Sequence, residues 1–201
     1  MGAPATEPSD EVLAARAASG DGHAFEALVV RYQARIFRLA CRLTDETEAL
    51  DVVQDAFLQV HRHLSAFRGD ARFGTWLFRI ATNAALMHRR TRARRPAESL
   101  EAFLPRFDAD GTLEETPEAL RLAVHAEDLI DRQALAMRAR AAIERLPDPY
   151  RVAFVLRDLE ELSTADVAQV LGADPATVRQ RVHRARLMLR GYLNDLARGR
   201  S

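Results

Sequence analysis

The chain has 201 residues, of which 48% are hydrophobic and 29% charged, so it is long enough for one or two ordinary globular domains. Its 29 basic residues balance its 29 acidic residues, which excludes a protein that is basic or acidic throughout. A single cysteine, Cys41, excludes an internal disulfide, and no apolar run approaches the roughly 20 residues that span a bilayer. Because the N-terminus also lacks a basic segment followed by an apolar one, we expect a cytoplasmic protein.

The charges are distributed unevenly along the chain. Arginines are concentrated at residues 89–95 and 179–190, whereas residues 98–118 carry acidic side chains with Arg106 as the only basic one. A partner meets the local field of a surface rather than the net charge. The balanced total therefore does not exclude an anionic partner such as nucleic acid.

Residues 1–10 contain proline, glycine and small polar residues, which predicts a disordered N-terminus. From there the apolar residues recur at helical spacing, with no sustained alternation that would indicate strands, so we predict an all-α fold. Residues 11–95 are predicted to form a first domain of three to four helices. Its apolar stripes are Phe25, Leu28, Val29, Tyr32, Ile36 and Leu39, then Ala49, Leu50, Val53, Ala56, Phe57, Val60 and Leu64, and then Leu77, Ile80, Ala81 and Ala84.

A polar stripe lies opposite the apolar side of the second predicted helix. It consists of Asp51, Gln54, Asp55 and Gln59. Such a stripe is either simply solvated or docks on a basic partner surface, and the residues alone leave both interpretations open.

The loop at residues 67–76 combines aromatic rings, arginines and two glycines. Aromatic faces and arginine planes bind unstacked nucleotide bases, although Phe67, Phe73 and Trp76 are equally consistent with a core that closes the loop. The following helix adds an asparagine suited to a base edge and arginines suited to phosphates. The candidate nucleic-acid residues of this domain are Phe67, Arg68, Asp70, Arg72, Phe73, Arg79, Asn83, Arg89 and Arg90.

Residues 96–130 contain three prolines and the acidic cluster without a clear apolar period, which predicts a flexible linker. Residues 131–196 are predicted to form a second domain of four short helices. Within it, Ser163 can cap one helix, Gly172 can end that helix in a left-handed conformation, and Asp174 with Pro175 can start the next. This order of signals predicts a helix-turn-helix.

The second helix of this motif has a basic side that faces away from its apolar stripe. Its stripe is Val178, Val182, Ala185 and Leu189, and its candidate DNA-contacting residues are Thr177, Arg179, Gln180, His183, Arg184 and Arg186. Arginine and glutamine each form paired hydrogen bonds with base edges in the major groove. A solvated helix face is the alternative, but the capped motif and the arginines together favour DNA binding.

The chain shows no phosphate-binding loop, no metal-ligand spacing and no nucleophile beside a base, so we expect neither an enzyme nor a cofactor. A nucleic-acid enzyme would need an acidic metal cluster, for which Asp51 and Asp55 are the only candidates. A stand-alone helix-turn-helix transcriptional regulator is the main alternative, although no dimer helix or ligand pocket is evident.

Two long segments carry a family resemblance. The first is EALDVVQDAFLQVHRHLSAFRGDARFGTWLFRIATNAAL, and the second is IERLPDPYRVAFVLRDLEELSTADVAQVLGADPATVRQRVHRARLML. They resemble regions two and four of the extracytoplasmic-function sigma factors, a class of sigma-70-type bacterial initiation factors. The resemblance covers residues 11 to 196 and implies a protein that binds core RNA polymerase and directs it to promoters.

The resemblance also implies roles for the candidate residues. The stripe at Asp51, Gln54, Asp55 and Gln59 would dock on the clamp helices of the polymerase. The loop at residues 67–73 and Asn83 would capture unpaired bases of the minus-10 element, while the basic side of the last helix would read the minus-35 duplex. Further implied contacts are with the polymerase flap and with an anti-sigma factor. Because specificity residues differ among relatives, Gln180 and His183 leave the promoter sequence open.

Overall fold

The computed structural model describes residues 7–44, 46–92 and 129–197, and these ranges contain helices but no β-strand. The prediction of an all-α fold is confirmed. Residues 1–6 of the predicted N-terminal segment and residues 96–128 of the predicted linker lie outside the described ranges.

Four helices make up the N-terminal bundle, and four make up the C-terminal bundle. The N-terminal bundle contains α1 (Asp10–Ala18), α2 (Gly22–Leu43), α3 (Glu46–His63), a 3-10 turn (Leu64–Ala66) and α4 (Phe73–Arg92). The C-terminal bundle contains α5 (Leu129–Arg145), α6 (Asp148–Phe154), a π-helical segment (Val155–Leu159), α7 (Thr164–Leu171) and α8 (Pro175–Ala197).

Helix α2 is the centre of the N-terminal bundle, because α1, α3 and α4 all pack against it. Ile36 and Leu39 of α2 are completely buried, as are Val52 of α3 and Leu77 of α4. The predicted stripe of α3 was wrong at Leu50, which is 67% exposed. Successive side chains of an α-helix are rotated by about 100° around its axis, so the residue after a buried one points to a different side of the helix.

The start of α4 lies against a buried tyrosine of α2. The Tyr32 hydroxyl donates a hydrogen bond to Asp10 of α1, and burial together with this bond raises the pKa of Tyr32. A Cβ atom added to Gly74 would lie 2.7 Å from the Tyr32 hydroxyl oxygen, closer than such atoms approach. Glycine at this position therefore lets α4 begin directly against the ring.

The C-terminal bundle packs directly on the N-terminal bundle. Helix α7 packs on α4, while α5 and the π-helical segment lie against α2. One connected cluster of buried apolar side chains extends from the N-terminal bundle into α6, α7 and α8. The sequence predicted two domains joined by a linker, and it contained no signal for this contact.

We predict that Gly74→Ala lowers the free energy of unfolding by about 1–3 kcal/mol, because the new methyl group overpacks the Tyr32 hydroxyl. In a Tyr32→Phe background the same change should instead be neutral or stabilising. There the clash is gone, and alanine gains up to about 1 kcal/mol over glycine in a helix. Urea denaturation of the four proteins measures this cycle, and an equal loss in both backgrounds would contradict the contact.

Candidate nucleic-acid interface

The helix-turn-helix has the local features that the sequence predicts. Ser163 caps α7, and its hydroxyl oxygen accepts a hydrogen bond from the Asp166 amide at 3.1 Å. Gly172 ends the helix in the left-handed conformation, with φ 59° and ψ 37°. The short turn that follows sets the angle between α7 and α8.

Asp174 organises the first turn of α8. One carboxylate oxygen accepts hydrogen bonds from the amides of Ala176 and Thr177, both at 2.9 Å. The other accepts a bond from the Thr177 hydroxyl at 2.5 Å. These bonds, that of the Thr177 hydroxyl foremost, lower the pKa of Asp174 and keep its negative charge at the helix N-terminus. The Thr177 hydroxyl, one of the predicted DNA contacts, is thus engaged in the cap.

The outer face of α8 groups three of the predicted DNA-contacting residues. Arg179, Gln180 and His183 are exposed, while Val178 and Val182 on the opposite side are buried. The three side chains lie within the first three turns of the helix, the part that a recognition helix presents to base edges.

The other two predicted arginines of α8 are placed differently. Arg184 is half-buried on another flank of the helix. Arg186 is exposed, but its Nε and Nη2 atoms each donate a hydrogen bond to Asp158 at 2.8 Å. A paired guanidinium of this kind has fewer donors left for DNA. The sequence could not predict this pairing, because Asp158 lies 28 residues away.

The aromatic residues predicted to lie in one loop form a cluster in the bundle, with Phe67 in the loop and Phe73 and Trp76 in the first turn of α4. Phe73 is completely buried, with its ring centroid 5.7 Å from that of Tyr32 and 5.9 Å from that of Phe67. Phe67 is half-buried, and its ring centroid lies 5.0 Å from that of Trp76. Phe73 is therefore a core residue, and its prediction as a base-contacting residue was wrong. Its aromatic type could not distinguish a core ring from a stacking platform.

Most of the polar candidates in the N-terminal bundle are exposed. They are Arg68, Asp70 and Arg72 of the loop and Arg79, Asn83 and Arg90 of α4. Gly69 in the same loop has a φ of +76°, which a residue with a side chain rarely adopts. The exception is Arg89, which is half-buried and forms an ion pair of 3.0 Å with Asp148 of the C-terminal bundle.

The polar stripe of α3 lies on the surface together with two leucines. Asp51, Gln54 and Asp55 are exposed and Gln59 is half-buried, as the stripe predicts. The Nε2 atom of His88, on α4, lies 2.8 Å from the Oδ2 atom of Asp55. The sequence analysis placed Leu50 in the apolar stripe and left out Leu58, but both are on the surface, with Leu50 67% and Leu58 44% exposed. Leu50 lies four residues before Gln54 and Leu58 four residues after it, so all three side chains are on one face of α3. This spacing was the signal available in the sequence.

The described residues offer neither a metal-binding cluster nor a membrane-spanning helix. Among them, no three His, Cys, Asp or Glu side chains are grouped to hold a metal ion, so Asp51 and Asp55 gain no third ligand there. The same residues include no helix with the length and apolar character needed to span a membrane.

Comparison with known families matches both parts of the chain. Residues 28–95 match the family model described as sigma-70 region 2, and residues 136–189 match the one described as sigma-70, region 4. The ECF RNA polymerase sigma-E factor of Escherichia coli is 37% identical over 196 residues, covering 94% of this chain and 97% of that protein. The RNA polymerase sigma-H factor of Pseudomonas aeruginosa is 38% identical over 198 residues, covering 96% and 98%.

Two solved structures share the fold. CnrH in complex with the cytosolic domain of CnrY is 29% identical, with a TM-score of 0.65 and coverage of 96% of this chain and all of that one. The sigma factor RpoE in complex with the anti-sigma factor NepR from Bartonella quintana is 23% identical, with a TM-score of 0.60 and coverage of 84% and 96%. The second likeness concerns the fold alone.

We predict that Asp174→Ala loosens the first turn of α8, because the amides of Ala176 and Thr177 lose their acceptor. Amide hydrogen exchange at these two positions should become severalfold faster. The matched variant Asp174→Asn keeps a capping oxygen and should retain protection. Unchanged exchange in the alanine variant would contradict the role of Asp174 as the cap.

Proposed function

Because the chain belongs to the extracytoplasmic-function sigma-70 family, we propose that it is an alternative sigma factor that binds core RNA polymerase and directs it to promoters with minus-35 and minus-10 elements. The observation that carries this proposal is the order of two matched regions in one chain, region 2 followed by region 4. A stand-alone helix-turn-helix regulator is not favoured, because it gives no role to region 2.

For the minus-35 element, we assign the outer face of α8. Arg179, Gln180 and His183 are exposed together on the helix that Asp174 caps. Arginine pairs with guanine and glutamine with adenine in the major groove, so these residues suit duplex readout. Arg184 and Arg186 remain candidates for phosphate contact at the edges of this face.

For the minus-10 element, we assign the exposed polar residues around the start and middle of α4. Asn83 suits an unpaired base edge, while Arg68, Arg72 and Arg79 suit the phosphates around it. Asp70 and Arg90 border the same surface, and Phe67 is the half-buried ring that remains as a stacking candidate. Base extrusion costs a few kcal/mol, which a pocket and stacking can return, so the bundle would favour melted DNA.

For core polymerase, we assign the exposed face of α3. Its acidic and amide side chains at Asp51, Gln54 and Asp55 suit a basic surface, and Leu50 and Leu58 add apolar area that water now covers. Polymerase would supply the catalysis of RNA synthesis, and this chain would act without a reaction of its own.

An anti-sigma factor is a further proposed partner. CnrH was solved in complex with the cytosolic domain of CnrY, and RpoE from Bartonella quintana was solved in complex with the anti-sigma factor NepR. We expect the chain to act in the cytoplasm, where its polymerase partner is found.

The assignment of α3 is tested with core RNA polymerase by gel filtration and by titration. We predict that the wild-type chain co-elutes with core and that Leu50→Asp weakens binding about tenfold or more. The reason is that burial of a leucine contributes about 1.5–3 kcal/mol.

The matched control is Val30→Asp, which places the same carboxylate at another exposed apolar residue, 64% exposed on α2. It should bind core like the wild type. A wild-type chain that never co-elutes with core would overturn the proposed function, whereas equal losses in both variants would remove α3 from the interface.

We predict that Arg179→Ala costs about 1–3 kcal/mol of binding to cognate minus-35 duplex and relaxes specificity at one base position. Arg186→Ala should cost less, because Asp158 already holds that guanidinium. Both effects are measured by assembling holoenzyme with each variant and determining its binding to a library of minus-35 sequences. A uniform loss on all sequences in Arg179→Ala would reassign Arg179 to phosphate.

A further inference from the structure

An ion pair connects α8 to the π-helical segment. The Nε atom of Arg186 donates a hydrogen bond of 2.8 Å to one carboxylate oxygen of Asp158, and its Nη2 atom donates one of 2.8 Å to the other. The Arg186 side chain is 60% exposed, whereas that of Asp158 is only 17% exposed. A largely buried carboxylate from another helical segment therefore fixes a guanidinium on the surface of α8.

Arg186 lies on the side of α8 that is assigned to DNA. It follows Arg179 by seven residues and His183 by three, and this spacing places the three side chains on one side of the helix. All three are exposed. Arg186 is also eleven residues after Pro175, which begins the helix, or roughly 16 Å along the axis. A recognition helix contacts base edges with its N-terminal residues, so a side chain this far along it is placed for the DNA backbone.

The pairing with Asp158 leaves one edge of the guanidinium free. A guanidinium has five N–H donors in a rigid plane. Asp158 binds the Nε–H and one N–H of Nη2, which lie along one edge of that plane. The N–H groups of Nη1 and the second N–H of Nη2 remain, so the edge formed by Nη1 and Nη2 is still complete. Such an edge binds two oxygens of a phosphate.

Asp158 lies in an irregular part of the backbone. Residues Val155–Leu159 form a π-helical turn at the end of α6, and α6 packs on α8. Turns of this kind are rare and occur frequently at functional sites. An ion pair with one partner as exposed as Arg186 adds little to stability, because water screens the attraction. The pair is therefore better suited to orient the guanidinium than to stabilise the bundle.

We propose that Asp158 is a positioning residue for minus-35 binding, which holds the Arg186 guanidinium so that its free edge donates to one phosphate of the duplex. The assignment rests on the proposed function, and it extends DNA binding to a residue outside the helix-turn-helix. An arginine without a partner loses rotamer freedom when it binds DNA, which lowers affinity. Arg186 is ordered before DNA arrives, so it avoids most of this loss.

The Asp158 carboxylate also brings a negative charge close to DNA, and this charge opposes phosphate binding. A double-mutant cycle separates the two effects, because repulsion acts whether or not Arg186 is present, whereas positioning acts only through Arg186. A carboxylate that merely competed with phosphate for Arg186 would couple to it with the opposite sign. The sign of the coupling therefore decides whether Asp158 positions Arg186 or masks it.

The cycle consists of the wild type, Asp158→Asn, Arg186→Ala and the double variant, each assembled with core polymerase and titrated with promoter DNA. Asparagine keeps the size of aspartate but offers one acceptor oxygen, so it cannot hold both N–H groups in the same way. We expect Asp158→Asn to weaken binding about threefold or more relative to its effect in the Arg186→Ala background. A coupling of zero, or one of the opposite sign, would overturn the role of Asp158.

The phosphate contact is tested by the salt dependence of binding. Arg186→Ala should weaken holoenzyme binding about threefold on every minus-35 sequence and make the slope of log affinity against log salt shallower by about one. The matched control Arg138→Ala removes the same charge from an exposed residue of α5 and should change neither quantity. A loss confined to one base position, or no loss at all, would overturn the phosphate contact.

Two controls separate this role from the proposed function. Circular dichroism should show the same helix content in every variant, because neither Asp158 nor Arg186 is completely buried. All variants should bind core like the wild type, since that contact is assigned to α3. A wild-type chain that forms no complex with core would overturn the proposed function and this role with it. A normal complex with an uncoupled cycle would overturn the role of Asp158 alone.

Discussion

The contact of Glu160 with the arginines of α2 lies where the two bundles of this chain pack together. It holds a carboxylate that is almost completely buried against Arg42 and Arg35, 118 and 125 residues away in sequence. Around it, α7 lies on α4 and the apolar cores of the two bundles join. The outer faces of α3 and α8 stay exposed, and so do Arg79, Asn83 and Arg90 of α4.

The exposed face of α8 depends on short-range interactions. Asp174 binds the first amides of the helix, and Gly172 supplies the left-handed turn before it. Val178 and Val182 are buried on one side of the helix, and Arg179 and Gln180 are therefore exposed on the other side. Each of these steps involves residues within a few positions of one another. A recognition helix can therefore be placed by local capping and by one apolar stripe.

Sequence reasoning failed where the partner of a side chain is remote. Phe73 has the ring type that stacks on bases, yet Tyr32 of α2 and Phe67 enclose it. Arg186 has the charge that suits DNA, yet Asp158 across the bundle binds it in two places. Leu50 was counted with the core, yet it lies on the outer face of α3. Residue type and spacing indicate which contacts a side chain can make, but not which neighbour the fold places beside it.

The sequence by itself determined the helical class, the two matched regions, and the capped helix-turn-helix with its basic side. These follow from helical periodicity and from capping, which act over one or two turns of chain. Only the tertiary structure decided that region 4 packs on region 2, that Glu160 is buried on α2 and that Arg89 is paired with Asp148. The physical reason is that ion pairs and packing between distant segments depend on three-dimensional proximity, which no local pattern records.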